Sequence, residues 1–382
     1  MSLLEHAQAI VDGYDALVRE EIPESVLLFD AHTHLGDDID GMQGRPEQLM
    51  EILDRYGFSR ANVFCLDEPD REPAFTAAND RTLAYADRSD GRFISFARLD
   101  LSQSPLEEAK RCLDRGARGI KLHPRAQRFS VGDDRLAPIF SLASERQVPI
   151  LIHGGRGLPP IAEHLEKLVR STDGVRLIIA HAGIADMAGL AGRLGGIPGV
   201  YFDTSVWSAV DLLDLYRHVS PEQIVYASDY PYGRQPNSLL ATIRTARIAG
   251  FDDRQLRLML GESARRIADN SPPEPLSAPR GAASLVQPLT FARIHHYLSM
   301  AVPMLWLRQR DGVGALGLAL NTAHERNGYE EDSDRVRKLL STASDLWHEG
   351  SDLTEEEERT RAYRAAIQLV HLADLITVTA RS

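Results

Sequence analysis

Cysteine is nearly missing from this chain of 382 residues: only Cys65 and Cys112 occur, and neither has a CxxC neighbour. A disulfide framework and a cysteine-held zinc knuckle are thereby excluded. Positive charge is also in deficit. Against 55 Asp and Glu there are 43 Lys and Arg, a formal net charge of -12, which argues against nucleic acid or an anionic membrane as a partner. Long apolar runs are lacking: the most apolar late stretch, residues 298–307, is too short to span a bilayer and contains Pro303. Residues 1–21 carry Glu5, Asp12, Asp15, Glu20 and Glu21 and lack the basic start and apolar centre of a signal peptide. Cytoplasmic residence is the expectation. No GxGxxG or GxxxxGK[ST] run follows an early strand, so a nucleotide-phosphate loop is not expected.

What the chain does have is polar residues at the ends of apolar runs. Val26-Leu-Leu-Phe-Asp-Ala-His-Thr-His-Leu-Gly36 reads as a strand ending on His32 and His34. Side chains alternate on a strand, so the two imidazoles share a face, as do Leu28 and Asp30 before them. Gly119-Ile-Lys-Leu-His-Pro124 ends on Lys121 and His123, and Val148-Pro-Ile-Leu-Ile-His-Gly-Gly155 ends on His153. Arg176-Leu-Ile-Ile-Ala-His-Ala-Gly183 ends on His181. Val200-Tyr-Phe-Asp-Thr-Ser205 ends on Asp203, and Ile224-Val-Tyr-Ala-Ser-Asp-Tyr-Pro231 ends on Asp229.

Strand-like runs begin near Val26, Ala61, Phe93, Arg118, Pro149, Arg176, Val200 and Ile224, with helix-like stretches between most of them. That alternation implies parallel pairing and right-handed crossovers. Eight strands in about 250 residues fit an α/β fold, a closed (β/α)8 TIM-like barrel whose site gathers at the C-terminal strand ends. The spacing predicts an N-terminal helix over 1–21, the barrel over 22–270, a Pro-rich linker over 271–289 and a helical C-terminal domain over 290–382. In that last part a helix over 291–310 with a kink at Pro303 is expected, then one over 336–348, then one opened by a capping box at Thr354-Glu-Glu-Glu357. No motif for chemistry is legible there, and its histidines, His371 among them, are given surface or packing roles.

Three imidazoles and a carboxylate, His32, His34, His153 and Asp229, form the best ligand set for one divalent cation. Zinc suits them first, with Mn2+ or Fe2+ tolerated. A position open to water makes such a site catalytic. Asp229 then holds the metal with one oxygen and takes the water's proton with the other, and His181 stabilises an oxyanion or donates a proton. In an alternative, Lys121 is carboxylated and bridges a dinuclear centre whose second ion sits on His153 and His181. Unmodified, the Lys121 ammonium instead holds a substrate carboxylate.

Asp30-Ala-His-Thr-His34, Gly119-Ile-Lys-Leu-His-Pro124, Ile152-His-Gly-Gly155, Ala180-His-Ala-Gly183 and Ser228-Asp-Tyr-Pro231 together resemble the amidohydrolase superfamily. More narrowly they are similar to its branch of aminocarboxymuconate-semialdehyde decarboxylase-like enzymes. The resemblance implies a metal-dependent TIM barrel with a single cation on His32, His34, His153 and Asp229, and a catalytic His181. Leu260-Gly-Glu-Ser-Ala-Arg-Arg-Ile267 departs from the family's closing Gly-x-Asn-Ala-x-Arg helix at Ser263. The C-terminal extension lies outside the family core.

The expected partner is a small molecule. Arg98, Arg125, Arg156 and Arg234 follow strand ends and are read as carboxylate or phosphate recognition, with His123, Asp203 and Tyr232 also contacting substrate. Trp207, Tyr230 and Tyr232 are expected to wall the pocket, while Thr204 and Ser205 are read as turn formers. A metal-dependent hydrolase acting on an amide, lactone or ester is the leading function. A non-oxidative decarboxylase or hydratase of an unsaturated or aromatic acid is the alternative, and a non-catalytic scaffold barrel stands third. A homo-oligomer is compatible with all three.

Overall fold

The computed structural model describes residues 1–281, 287–325 and 328–380, so part of the expected linker lies outside the described residues. Ten strands follow in chain order: β1 (Leu28–Asp37), β2 (Gln43–Gly44), β3 (Phe58–Cys65), β4 (Phe93–Ser95), β5 (Ala97–Arg98), β6 (Ile120–Leu122), β7 (Pro149–Ile152), β8 (Arg176–Ile179), β9 (Val200–Asp203) and β10 (Ile224–Val225). Apart from the short antiparallel arm β2, every pairing is parallel, in the orders β1-β3-β4 and β5-β6-β7-β8-β9-β10. β4 and β5 are one barrel strand interrupted at Phe96, whose N–H donates to the Val63 carbonyl at 2.9 Å and joins the two sheets.

The other seam closes beyond β10. Ala31 N donates to Tyr226 O at 3.0 Å, Asp229 N to His32 O at 3.0 Å, and His34 N to Tyr230 O at 2.7 Å. These bonds tie the metal-ligand candidates of β1 and of the β10 end into one backbone ladder. With both seams made, eight strand positions form a barrel.

Register decides which residues face its interior. Lys121 pairs with Leu151, Leu151 with Ile178, and Ile178 with Tyr201, so these share the inner face with Phe29, Ala31 and Phe64. Ile120, Ile150, Leu177 and Val200 point outward into the larger core beneath the helices. β1 breaks its own alternation: the pairing with β3 slips between Asp30 and Thr33. Ala31 therefore faces inward and His32 does too, while Leu28 belongs to the outer layer. His32 and His34 share a face as expected, their Nε2 atoms 3.1 Å apart, but the bulge takes Leu28 and Asp30 off that face and re-aims the strand end toward the site.

Helices α3 (Pro46–Tyr56), α4 (Thr76–Asp87), α5 (Pro105–Asp114), α6 (Leu136–Glu145), α7 (Ala162–Arg170), α8 (Met187–Leu194), α9 (Ala209–His218) and α10 (Asn237–Ile248) cover the barrel. Two short helices follow, α11 (Asp253–Arg257) and α12 (Ser263–Ala268), the second packed against β1 and β10. The N-terminal segment is two helices rather than one. α1 (Leu3–Asp12) carries a true capping box between Ser2 and Glu5, and α2 (Asp15–Glu21) follows after a turn at Gly13.

In the C-terminal part, Pro303 lies inside α13 (Leu289–Trp306), which continues one turn past it and ends short of the expected residue 310, and α14 (Asp311–Thr322) begins separately. α15 (Glu330–Asp352) and α16 (Glu356–Thr379) then pack along each other. The capping box expected at Thr354 does not form: the N-cap is Glu355, and no side-chain bond caps it. α16 buries Ala366, Ile367, Val370 and Ala373, and it lies against α1, α9, α10 and α13. Asn237 Nδ2 donates to the Gln368 carbonyl at 2.8 Å, pinning α16 beside the barrel mouth. No helix among the described residues is long and apolar enough to cross a membrane.

Candidate metal centre

Three donor atoms converge at the C-terminal strand ends. His32 Nε2 is 3.1 Å from His34 Nε2 and 3.3 Å from Asp229 Oδ1, and His34 Nε2 is 3.2 Å from the same oxygen. Cation bonds of about 2.0–2.2 Å set neighbouring donors roughly 2.8–3.6 Å apart in octahedral or tetrahedral arrangements. The triangle fits such an ion.

The protonation pattern fits as well. Asp203 Oδ2 lies 2.7 Å from His32 Nδ1. A carboxylate oxygen only accepts, so the proton sits on Nδ1 and the Nε2 lone pair is left for a ligand role. Asp203 Oδ1 accepts from the His181 amide at 2.7 Å and from the Ser205 hydroxyl at 2.6 Å. One fully buried carboxylate thus orients two histidines from different strands.

His181 Nδ1 donates to the Ser205 carbonyl at 2.9 Å, so its Nε2 accepts from His153 Nδ1 at 3.0 Å. His153 Nε2 is buried without a hydrogen-bond partner, and burial, then the His181 charge, holds the His153 pKa well below its ordinary value. This nitrogen is turned toward the loop at Gly155, and His153 stands outside the group formed by His32, His34 and Asp229. His123 stacks on it at 4.0 Å between ring centroids.

A Cβ on Gly155 would meet His153 Cε1 and His181 Cδ2, each at 2.8 Å. Gly155→Ala is therefore expected to push the two rings apart and to lower kcat more than about tenfold, with a melting temperature close to that of the parent. Undiminished kcat in this variant would show that the His153–His181 contact is dispensable.

Electrostatics follow from depth. Burial, then the Lys121 charge, holds the His32 pKa well below its ordinary value, and burial, then His32 itself, does the same to His34. Neutral imidazoles are the form a cation requires. Burial raises Asp229 well above the carboxylate range, against the pull of Lys121. Lys121 Nζ sits 3.3 Å from His32 Nε2, and burial brings its pKa down to about 7. Asp30, read as a face-mate of the histidines, is instead a brace whose Oδ1 accepts from the Ser228 amide at 3.0 Å, and burial pushes its pKa up to about 7.

The arginines do not gather at the triangle. Arg98, in register with Lys121, is 2% exposed and donates to the Cys65 carbonyl at 3.0 Å. Arg125 and Arg156 are exposed on the loops that follow β6 and β7. Tyr232 packs edge-on to His34 and donates to Asp40 at 3.2 Å. Ser205, read as a turn former, contacts both Asp203 and His181. Its only signal was a hydroxyl two residues beyond a strand-end carboxylate.

A family model described as amidohydrolase matches residues 29–267. No curated protein matches the chain. A probable 2-pyrone-4,6-dicarboxylic acid hydrolase of Acinetobacter baumannii superposes with a TM-score of 0.50 at 13% identity, over 64% of this chain and 99% of that one. The IDCase of Metarhizium anisopliae does so at 0.50 and 15%, over 64% and 97%. The 4-oxalomesaconate hydratase of Rhodopseudomonas palustris does so at 0.50 and 15%, over 64% and 96%. At such identities the likeness speaks for the fold, while the family match spans more than half of the sequence and runs through all three donors. The chain belongs to the amidohydrolase family.

Proposed function

We propose that the protein is a metal-dependent hydrolase of a small, anionic amide, lactone or ester. The observation that carries this reading is the triangle of His32, His34 and Asp229 with Asp203 behind it. A zinc, manganese or iron(II) ion bound there supplies Lewis acidity, lowering the pKa of water to about 7 and polarising a carbonyl. His153 is the fourth ligand on this reading once its imidazole turns from His181 toward the triangle.

Asp229 takes the proton. Its Oδ1 belongs to the triangle, which leaves Oδ2 to accept from the attacking water. The water oxygen bonds to the acyl carbon, the C–N or C–O bond to the leaving group breaks, and the proton passes to the leaving atom. His181, fixed by Asp203 and Ser205, steadies the oxyanion or delivers that proton.

The buried Lys121, 3.3 Å from His32 Nε2, favours a second reading. As an ammonium it holds a substrate carboxylate for decarboxylation or hydration, and as a carbamate it supplies an oxygen to a second ion. A screen of lactones and N-acyl compounds against aromatic and unsaturated acids, with CO2 release followed, separates the two chemistries. Chelation is expected to abolish turnover and Zn2+, Mn2+ or Fe2+ to restore it. Full turnover by cation-free protein ends both readings.

A further inference from the structure

A chamber of about 330 Å³ lies between the barrel mouth and the C-terminal helices, in the size range of small-ligand sites. The barrel side includes Ser205, Trp207, Tyr232 and Arg234, and the helical side includes Trp306, Arg364 and His371. The donor triangle is not part of its wall. The chamber ends on Ser205, whose hydroxyl is 2.9 Å from His181 Nδ1, and on Tyr232, whose ring faces His34.

Of the three guanidinium groups on this wall, Arg361 pairs with Glu357, while no described carboxylate bridges Arg234 or Arg364. Among the described residues Arg234 makes no side-chain bond, and Arg364 only donates to the Gly41 carbonyl at 3.2 Å. Asp40, the nearest acid, is engaged by the Tyr232 hydroxyl at 3.2 Å and the Met42 amide at 2.8 Å. Burial and then the Arg234 charge act against the charge on Arg364, Asp40 supports it in part, and a bound anion adds to that support. Beside them the Trp207 and Trp306 rings stack at 5.3 Å, with His371 tilted against Trp207 at 5.1 Å. Trp306 Nε1 and His371 Nε2 are buried and have no protein partner, a state that a ligand with polar atoms would relieve. An apolar wall with an unpaired indole N–H, beside two guanidinium groups that no described carboxylate bridges, complements a planar ring bearing carboxylates.

The geometry points to this chamber as a binding site for an aromatic or conjugated carboxylate, held by Arg234 and Arg364 against the Trp207–Trp306 wall. The inference rests on the hydrolase reading for its link to catalysis: the ligand is the distal part of the substrate whose reacting bond reaches the triangle. α16 then belongs to the binding machinery, although it lies outside the segment matched by the family.

Calorimetric titration of the full chain with isophthalate, after removal of metal by chelation, tests binding without turnover. Saturable binding is expected, and neutral isophthalamide should bind at least about tenfold more weakly, since charge-assisted bonds contribute about 1.5–3 kcal/mol. Arg234→Gln, at an exposed side chain with no bonds to lose, and Arg364→Gln should each weaken isophthalate at least about tenfold and leave the diamide unchanged. Failure of isophthalate to bind, equal affinity for the diamide, or parental affinity in both variants overturns the site. Because no step needs the cation, a failed hydrolase screen beside positive titrations discards the reaction and keeps the site.

Discussion

Asp229→Asn is expected to lower kcat/KM by at least about 10³-fold while leaving the fold in place. Loss of a general base alone removes about 10²–10⁴ in rate, and here the same change also takes a negative charge from the cation. The choice of asparagine matters because Asp229 sits at φ 62, a left-handed conformation that Asn tolerates and that strains alanine. Burial already favours a neutral carboxyl at this position, so an uncharged isostere should not lower the melting temperature by more than a few degrees. Steady-state kinetics on any substrate from the screen, with metal content and circular dichroism in parallel, check this. Parental turnover in the variant would remove Asp229 from the chemistry.

Asp203→Asn should weaken metal binding by about 10–100-fold, the range for losing the group that orients a ligating histidine. The retained oxygen can still accept from the His181 amide and Ser205, at 2.7 and 2.6 Å in the parent. The new amide, however, places N–H against His32 Nδ1, where a carboxylate oxygen stood at 2.7 Å. Two donors cannot share that contact, so the imidazole proton moves to Nε2 and blocks the lone pair in the triangle. Zinc titration followed by calorimetry reads the effect, and a thermal melt separates it from unfolding. An unchanged zinc affinity would mean that Asp203 only braces the barrel. Asp203→Ala is the poorer variant because it strands the buried amides of His181 and Ser205, at about 1–3 kcal/mol each.

Much of the barrel was legible because its strands are short apolar runs bounded by polar ends. Runs placed at Phe93, Pro149, Arg176, Val200 and Ile224 begin where β4, β7, β8, β9 and β10 begin. The run from Val26 was harder. Its alternation looked continuous, but one slipped pairing against β3 turns Ala31 and His32 to the same side, and a slip depends on the partner strand. Arginines at strand ends were read as substrate contacts, and the structure shows Arg98 buried, level with Lys121, and donating to a backbone carbonyl. A chain position says that a guanidinium is near a strand end but not which of its neighbours has an unused acceptor.

Periodicity and residue type are local properties, and they sufficed for the fold class, the side of the barrel on which the chemistry gathers, and the kinds of donor available. That His32, His34 and Asp229 form a tight group while His153 turns toward His181 depends on long-range packing. So does the steering of two histidines by Asp203, and so does the approach of Arg364 and Trp306 to the mouth from helices with no motif of their own. Those outcomes depend on the closure of two strand seams and the docking of α16, where groups far apart in the chain meet within a few ångströms.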